Sequence, residues 1–105
     1  MDKRTNIIID KAKEYKALVN NTLPIFIDQF WLYGSYAKGV PNEHSDIDIA
    51  IIVNKIEDDI YWNNLPILWK LTYKVDERIE PVIIARDTDY AGMIDEIQRT
   101  GILID

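Results

Sequence analysis

The chain has 105 residues, of which 48% are hydrophobic and 29% are charged, and its net charge is −6. A chain with this composition can form a hydrophobic core, so we do not expect it to be disordered. The length favours a single domain that spans residues 1–105. The negative charge argues against a nucleic-acid surface, because phosphate backbones select basic proteins. The chain has no cysteine, which excludes disulfides and thiolate metal sites.

The sequence also carries no targeting or membrane signal that we recognise. No apolar run reaches the length of a membrane span. The first residues lead into a polar amphipathic segment that does not resemble a signal peptide. We therefore expect a cytoplasmic protein that has no membrane partner.

The first half of the chain predicts a helix followed by two strands. Residues 5–20 show helical spacing, with Thr5 or Asp2 as the capping residue. The apolar face of this helix consists of Ile8, Ala12, Tyr15 and Val19. The elements that follow are a strand over Gln29–Tyr33, a helical turn over Tyr36–Gly39, a loop over Val40–His44 and a strand over Asp46–Val53. The second strand is apolar on both faces in its far half, which predicts a position inside the sheet.

The second half predicts a further helix, strand and helix. In chain order these are a helix over Asp58–Lys74, a strand over Arg78–Ala85, a helix from a cap at Asp87 or Thr88 to Arg99, and a short strand over Ile102–Ile104. Pro66 either kinks the first of these helices or places its start near Asn64. The whole order predicts an α/β or α+β fold, with a small mixed β-sheet flanked by helices.

Two carboxylates in the second strand indicate a metal site. Asp46 and Asp48 are two residues apart on a strand, so their side chains point to the same face. Two carboxylates this close repel each other unless a cation lies between them. Mg²⁺ takes oxygen ligands and is commonly held by one or two carboxylates together with substrate phosphates.

A glycine–serine pair precedes these carboxylates and is suited to phosphate. Gly34 lets the backbone approach a ligand closely, and exposed backbone N–H groups bind anionic oxygens. Ser35 adds a hydroxyl donor. A helix beginning directly after the pair would add its N-terminal dipole.

The arrangement Gly34-Ser35, ten residues, then Asp46-Ile47-Asp48 resembles the signature of the DNA polymerase β type of nucleotidyltransferase. The chain length and the ten-residue gap are most similar to the minimal nucleotidyltransferase (MNT) branch. The resemblance runs from about Trp31 to Ile84 and implies the nucleotidyltransferase fold.

The resemblance implies a role for each matching residue. Gly34 and Ser35 would hold the nucleotide phosphates, and Asp46 and Asp48 would bind Mg²⁺, with two ions expected. A third carboxylate on a later strand would complete the metal site and could act as the catalytic base. Glu80 fits this position, because it precedes a proline and begins an apolar strand.

Two other assignments stay open at this point. Asp76 and Glu77 compete with Glu80 for the third carboxylate, although they lie in the turn before the strand. Lys38 either contacts a phosphate or is simply solvated.

Trp31, Trp62 and Trp69 are interpreted as core or partner-facing anchors, because the acidic charge argues against base stacking.

The resemblance further implies an Mg-ATP-dependent protein adenylyltransferase that acts as the antitoxin of a HEPN-type toxin ribonuclease. In several relatives AMP passes from ATP to a toxin tyrosine. Because the chain is short, we expect the acceptor to come from another chain. Two alternatives remain: a non-catalytic antitoxin that blocks the HEPN partner by contact, and the subunit of a nucleotidyltransferase for small, aminoglycoside-like molecules.

Overall fold

Helices and strands alternate along the chain in the computed structural model, which describes residues 3–41 and 45–105. In order they are α1 (Lys3–Thr22), β1 (Gln29–Tyr33), α2 (Ser35–Lys38), β2 (Ile47–Val53), α3 (Asp58–Thr72), β3 (Ile79–Ala85), a 3₁₀ turn (Arg86–Thr88), α4 (Met93–Thr100) and β4 (Ile102–Leu103). The predicted order of elements and the α+β class are confirmed. In the part of the chain that the structure describes, no helix is both long and apolar enough to cross a membrane.

The strands form one mixed sheet in the order β3-β2-β1-β4. β2 and β3 are parallel, whereas β1 is antiparallel to both β2 and β4. β2 therefore lies inside the sheet, as its apolar character predicted. β3 forms an open edge, and Pro81 is its third residue.

Helices cover the two faces of the sheet unequally. α1 and α3 pack on the face that carries Phe30, Leu32 and Ile49, and they form the larger core with it. The Tyr15 hydroxyl donates a 2.7 Å hydrogen bond to the Leu68 carbonyl and so ties α1 to α3. On the opposite face α4 covers only a smaller cluster, which consists of Ala50, Ile52, Ile84, Ile94 and Ile97.

The start of α1 differs from the prediction. Thr5 lies inside the helix and is buried, so it is not the capping residue. Asp2, the alternative cap, lies outside the described residues, as do residues 42–44 of the predicted loop. The predicted helical turn at Tyr36 begins one residue earlier, at Ser35, and β2 begins one residue later than predicted, at Ile47.

α3 passes through Pro66 without ending. Pro66 is exposed on the outer side of the helix, so its ring meets solvent and no packed neighbour. The proline cannot donate to the Trp62 carbonyl four residues earlier, and water can satisfy that exposed acceptor instead.

The predicted cap of the last helix was wrong. Asp87 and Thr88 belong to the 3₁₀ turn, and α4 begins only at Met93. The Asp89 carboxylate accepts hydrogen bonds from the backbone N–H groups of Met93 (3.0 Å) and of the next residue (2.9 Å). Several acidic and hydroxyl residues stand near this helix, and local sequence does not distinguish which of them reaches its first turn.

Candidate active site

Three polar side chains form a row across the sheet. In the antiparallel register Tyr33 lies opposite Asp48, and in the parallel register Asp48 lies opposite Glu80. Since side chains alternate along each strand, this row shares the sheet face that α4 covers further along. Glu80 itself is exposed. The row therefore stands at the open end of that face.

Asp46 joins the row from the segment just before β2. Its side chain is exposed, and its charge acts on Asp48. Burial, followed by the negative charges of Glu80 and Asp46, raises the pKa of Asp48 to about 6. The structure thus brings together the two carboxylates of the sequence motif and the one predicted from β3.

Gly34 stands directly against this carboxylate cluster. Its φ of +75° lies in the left-handed region that favours glycine. A Cβ built on it would collide with the Asp48 carboxylate, with the carboxyl carbon only 3.1 Å away. The bare backbone of residue 34 is therefore what lets the turn lie beside Asp48.

Ser35 and Lys38 are the first and last residues of α2, which begins immediately after Gly34. The turn is closed by hydrogen bonds of 3.0 Å from the Lys38 N–H to the Gly34 carbonyl and from the Val40 N–H to the Ser35 carbonyl. Ser35 is partly exposed and Lys38 is exposed. Both side chains are accessible to a ligand held above Gly34.

Asp76, one of the alternative candidates for the third carboxylate of the site, has a structural role. It accepts hydrogen bonds from Lys11 at 2.6 Å and from the Arg78 guanidinium at 2.8 Å. The hydrogen bonds from Arg78 hold the pKa of Asp76 well below its usual range, with Lys11 adding to the effect. Arg78 also donates to the Tyr36 hydroxyl at 3.1 Å. Asp76 therefore joins α1 to the start of β3, and its geometry favours Glu80 for the site.

The carboxylate cluster fits a hard divalent cation by the chemistry of its donors. All three side chains supply only oxygen, and the charges of Glu80 and Asp46 add to burial in raising the pKa of Asp48. Among residues 3–41 and 45–105, no three acidic or histidine side chains already stand in a metal-holding arrangement. Asp46 is exposed, so its carboxylate would have room to turn toward Asp48 if a cation were bound there.

Tyr33 is a site residue that sequence reasoning missed. It lies on the same face as Asp48, and the pKa of its hydroxyl is raised by burial and by the charges of Asp48 and Glu80. The one indication in the sequence that Tyr33 lies near the site is its position directly before the Gly34 turn. The pairing with Asp48 depends on strand register, which the sequence does not show.

Comparisons of the sequence with known proteins give a family match and a similar relative. The family "Polymerase beta, Nucleotidyltransferase" matches residues 12–104. A protein of Methanocaldococcus jannaschii, "Putative protein adenylyltransferase MJ0141", is 31% identical over 96 residues, which cover 90% of this chain and 96% of that protein.

Solved structures show the same fold at lower sequence identity. A "putative nucleotidyltransferase" from Sulfolobus solfataricus superimposes with a TM-score of 0.66 at 18% identity, covering 94% of this chain and 80% of that one. A toxin–antitoxin structure with AMP-PNP gives 0.64 at 22% identity, covering 91% and 73%. The complex of a tri-AMPylated Shewanella oneidensis HEPN toxin with MNT antitoxin gives 0.58 at 18% identity, covering 90% and 69%.

The family match extends over nearly the whole chain, and it includes the Gly34 turn and the strands that carry Asp48 and Glu80. The chain belongs to the polymerase β-type nucleotidyltransferase family.

Proposed function

We propose that this chain is an Mg-ATP-dependent protein adenylyltransferase that modifies and neutralises a HEPN-type toxin. The observation that carries the proposal is the pairing of Asp48 with Glu80 on adjacent strands, beside the Gly34 turn. The name of the Methanocaldococcus jannaschii relative supports the protein acceptor, and the fold shared with the Shewanella oneidensis complex supports the HEPN partner.

In this proposal each part of the site has a defined role. The Gly34 turn and Ser35 bind phosphate oxygens, and Lys38 adds a positive charge at the end of the same short helix. Asp46, Asp48 and Glu80 would hold Mg²⁺, with two ions proposed. When bound, the metal neutralises charge on the phosphates and on the departing pyrophosphate.

The transfer forms a bond between an acceptor hydroxyl and the α-phosphorus of ATP and breaks the bond to pyrophosphate. Glu80 accepts the proton of the acceptor hydroxyl, because its exposed carboxylate faces the open end of the site. Asp48 is held rigidly by the buried strand on either side of it, which fixes the position of the reacting groups. Because ATP is a cytoplasmic substrate, we place the reaction in the cytoplasm.

Incubation of the protein with a HEPN-type partner, Mg²⁺ and ATP labelled at the α-phosphate tests the proposal. We expect label on the partner, whereas ATP labelled at the γ-phosphate should leave none. Asp48→Asn should abolish transfer, and Asp58→Asn, which changes an exposed carboxylate on α3, should not. An unlabelled partner in the presence of a bound, intact nucleotide would contradict the proposal.

The same experiment separates catalysis from neutralisation by contact. If Asp48→Asn still binds the partner but no longer neutralises it, transfer is the active step. Full neutralisation by this variant would instead establish the non-catalytic binding module.

A further inference from the structure

The outer side of α3 carries an exposed row of large apolar side chains. Trp62, Pro66 and Trp69 form this row together with Tyr73, which directly follows the last residue of the helix, and we call it the α3 stripe. Trp62 is 65% exposed, Trp69 is 42% exposed and Tyr73 is 74% exposed. The steps of four, three and four residues keep all four side chains on one side of the helix, with the spacing of a helix–helix seam.

The stripe is not needed for the core of this chain. The inward side of α3 already contributes the buried Asn64, Leu68, Leu71 and Thr72 to the packing against the sheet. Contiguous exposed aromatic surface of this kind marks a contact with another molecule. Tyr61 and Trp62 also pack edge to face, with ring centroids 4.9 Å apart, which restricts the motion of the Trp62 ring.

We propose that the α3 stripe binds the α3 stripe of a second copy of this chain, with the two helices antiparallel about a two-fold axis. Such a contact must be complementary to itself. The spacing of the stripe is the same in both directions along the helix. An antiparallel pair therefore sets Trp62 opposite Tyr73 of the second copy, and Pro66 opposite Trp69 of the second copy.

The charges along α3 favour this orientation. Asp58 and Asp59 form its first turn, whereas Lys70 and Lys74 lie near its end, and all four are exposed. In an antiparallel pair the acidic end of each helix faces the basic end of the other. The helix dipoles add to this attraction. A parallel pair would instead place like charges together, in a chain whose net charge is already −6.

The size of the stripe sets the expected affinity. A large aromatic side chain buries about 150–250 Å². With the observed exposures, the three rings supply roughly 270–450 Å² per copy, or about 550–900 Å² for the pair, which is below the roughly 1,000 Å² of a stable specific interface. We therefore expect a weak, reversible dimer with a dissociation constant on the order of tens of micromolar.

This contact is separate from the candidate active site. α3 lies on the sheet face that carries Leu32 and Ile49, whereas Asp48 and Glu80 point to the opposite face. Dimerisation through the stripe leaves the site open. The inference therefore does not depend on the proposed function.

Sedimentation equilibrium of the full chain from about 1 to 100 μM tests the proposal. We expect the mass to rise from monomer to dimer, and Trp69→Glu to weaken association about tenfold or more. Tyr90→Glu is the matched control, because it changes an exposed aromatic residue after β3. It should dimerise like the unmodified chain.

A charge exchange tests the orientation with variants that leave the aromatic rings intact. Asp58→Lys with Asp59→Lys should weaken the dimer, and adding Lys70→Asp with Lys74→Asp should restore it. A mass that stays monomeric throughout, or a dimer that Trp69→Glu leaves unchanged, would overturn the proposal. The proposal would also be overturned if the isolated chain were monomeric and the stripe bound only a HEPN-type protein.

Discussion

Gly34 and Asp48 approach each other so closely that a Cβ on residue 34 would collide with the carboxylate of residue 48. Gly34→Ala should therefore displace Asp48 and abolish nucleotidyl transfer. It also adds the cost of an alanine at positive φ, about 1–2 kcal/mol. The α-phosphate label assay and thermal unfolding measure the two effects.

Gly39→Ala separates the loss of transfer activity from the loss of stability that we expect for Gly34→Ala. Gly39 has a φ of +76°, but a Cβ there would meet nothing within 4 Å. This variant should lose a similar amount of stability and keep its transfer activity. Equal activity in the two alanine variants would show that the approach to Asp48 is unimportant.

Asp48→Asn should make the protein more stable near neutral pH while it abolishes transfer. Burial and neighbouring carboxylates raise the pKa of Asp48 to about 6, so the charged form is disfavoured in the folded state. The destabilisation is absent below the unfolded pKa of about 4 and reaches its full value above pH 6. Removing the charge should add roughly 0.5–2 kcal/mol at pH 7.5.

Thermal unfolding at pH 7.5 and at about pH 4 measures this difference, which should disappear at the lower pH. Adding Mg²⁺ at pH 7.5 should raise the Tm of the unmodified protein more than that of Asp48→Asn, because the cation compensates the same repulsion. A variant that is less stable than the unmodified protein at pH 7.5 would refute this account of the carboxylate cluster.

Asp76→Asn should destabilise the fold, because Asp76 pairs with both Lys11 and Arg78. Charge-assisted hydrogen bonds of this kind contribute about 1.5–3 kcal/mol. The pKa of Asp76 is held low, so its contribution is present above the unfolded pKa and is lost as the pH falls toward the folded value. Denaturant unfolding should show a gap between the two proteins at pH 7 that narrows below about pH 4.

Glu77→Gln provides the control for this comparison, since it changes the adjacent exposed carboxylate. It should alter the unfolding free energy by less than about 0.5 kcal/mol. If both variants lose the same stability, the network of Asp76 has no special role.

Gly101→Ala should weaken the packing of β4 against β1. A Cβ on Gly101 would lie 2.5 Å from the Ile97 carbonyl and 3.0 Å from the Leu32 carbonyl. Both contacts are with backbone atoms, so the strand must shift, at a cost of about 1–3 kcal/mol. Denaturant unfolding measures the loss, and a change below 0.5 kcal/mol, as for an ordinary surface substitution, would contradict this packing.

The central part of the site could be predicted because it depends on short-range patterns. The two-residue period of β2 predicted that Asp48 faces away from Ile47, Ile49 and Ile51, and the structure agrees. Ile52 shares the face of Asp48, and Asp46 lies just before the strand. The choice among Asp76, Glu77 and Glu80 needed more than sequence. It depends on the register that sets Glu80 beside Asp48 and on the distant Lys11 that engages Asp76.

The differences between the sequence-based predictions and the structure have similar physical causes. Tyr33 enters the site through cross-strand pairing, and Asp89 caps α4 in competition with the nearby Asp87 and Thr88. The start of α3 near Asn64 that Pro66 suggested was wrong, because the helix begins at Asp58 and continues past the proline. The kink at Pro66 stays a prediction. In each case tertiary geometry selected one of several local conformations that the sequence permits.

Pro81 removes one backbone donor from the outer side of the edge strand β3. The Arg78 carbonyl accepts the Ile47 N–H at 2.9 Å, so alternation along β3 directs the backbone of residue 81 away from β2. Proline has no N–H there, so the ladder of donors along this edge is interrupted one residue after Glu80. Glu80, the third carboxylate that we propose for the site, is thus carried by an edge strand that lacks one of its outward backbone donors.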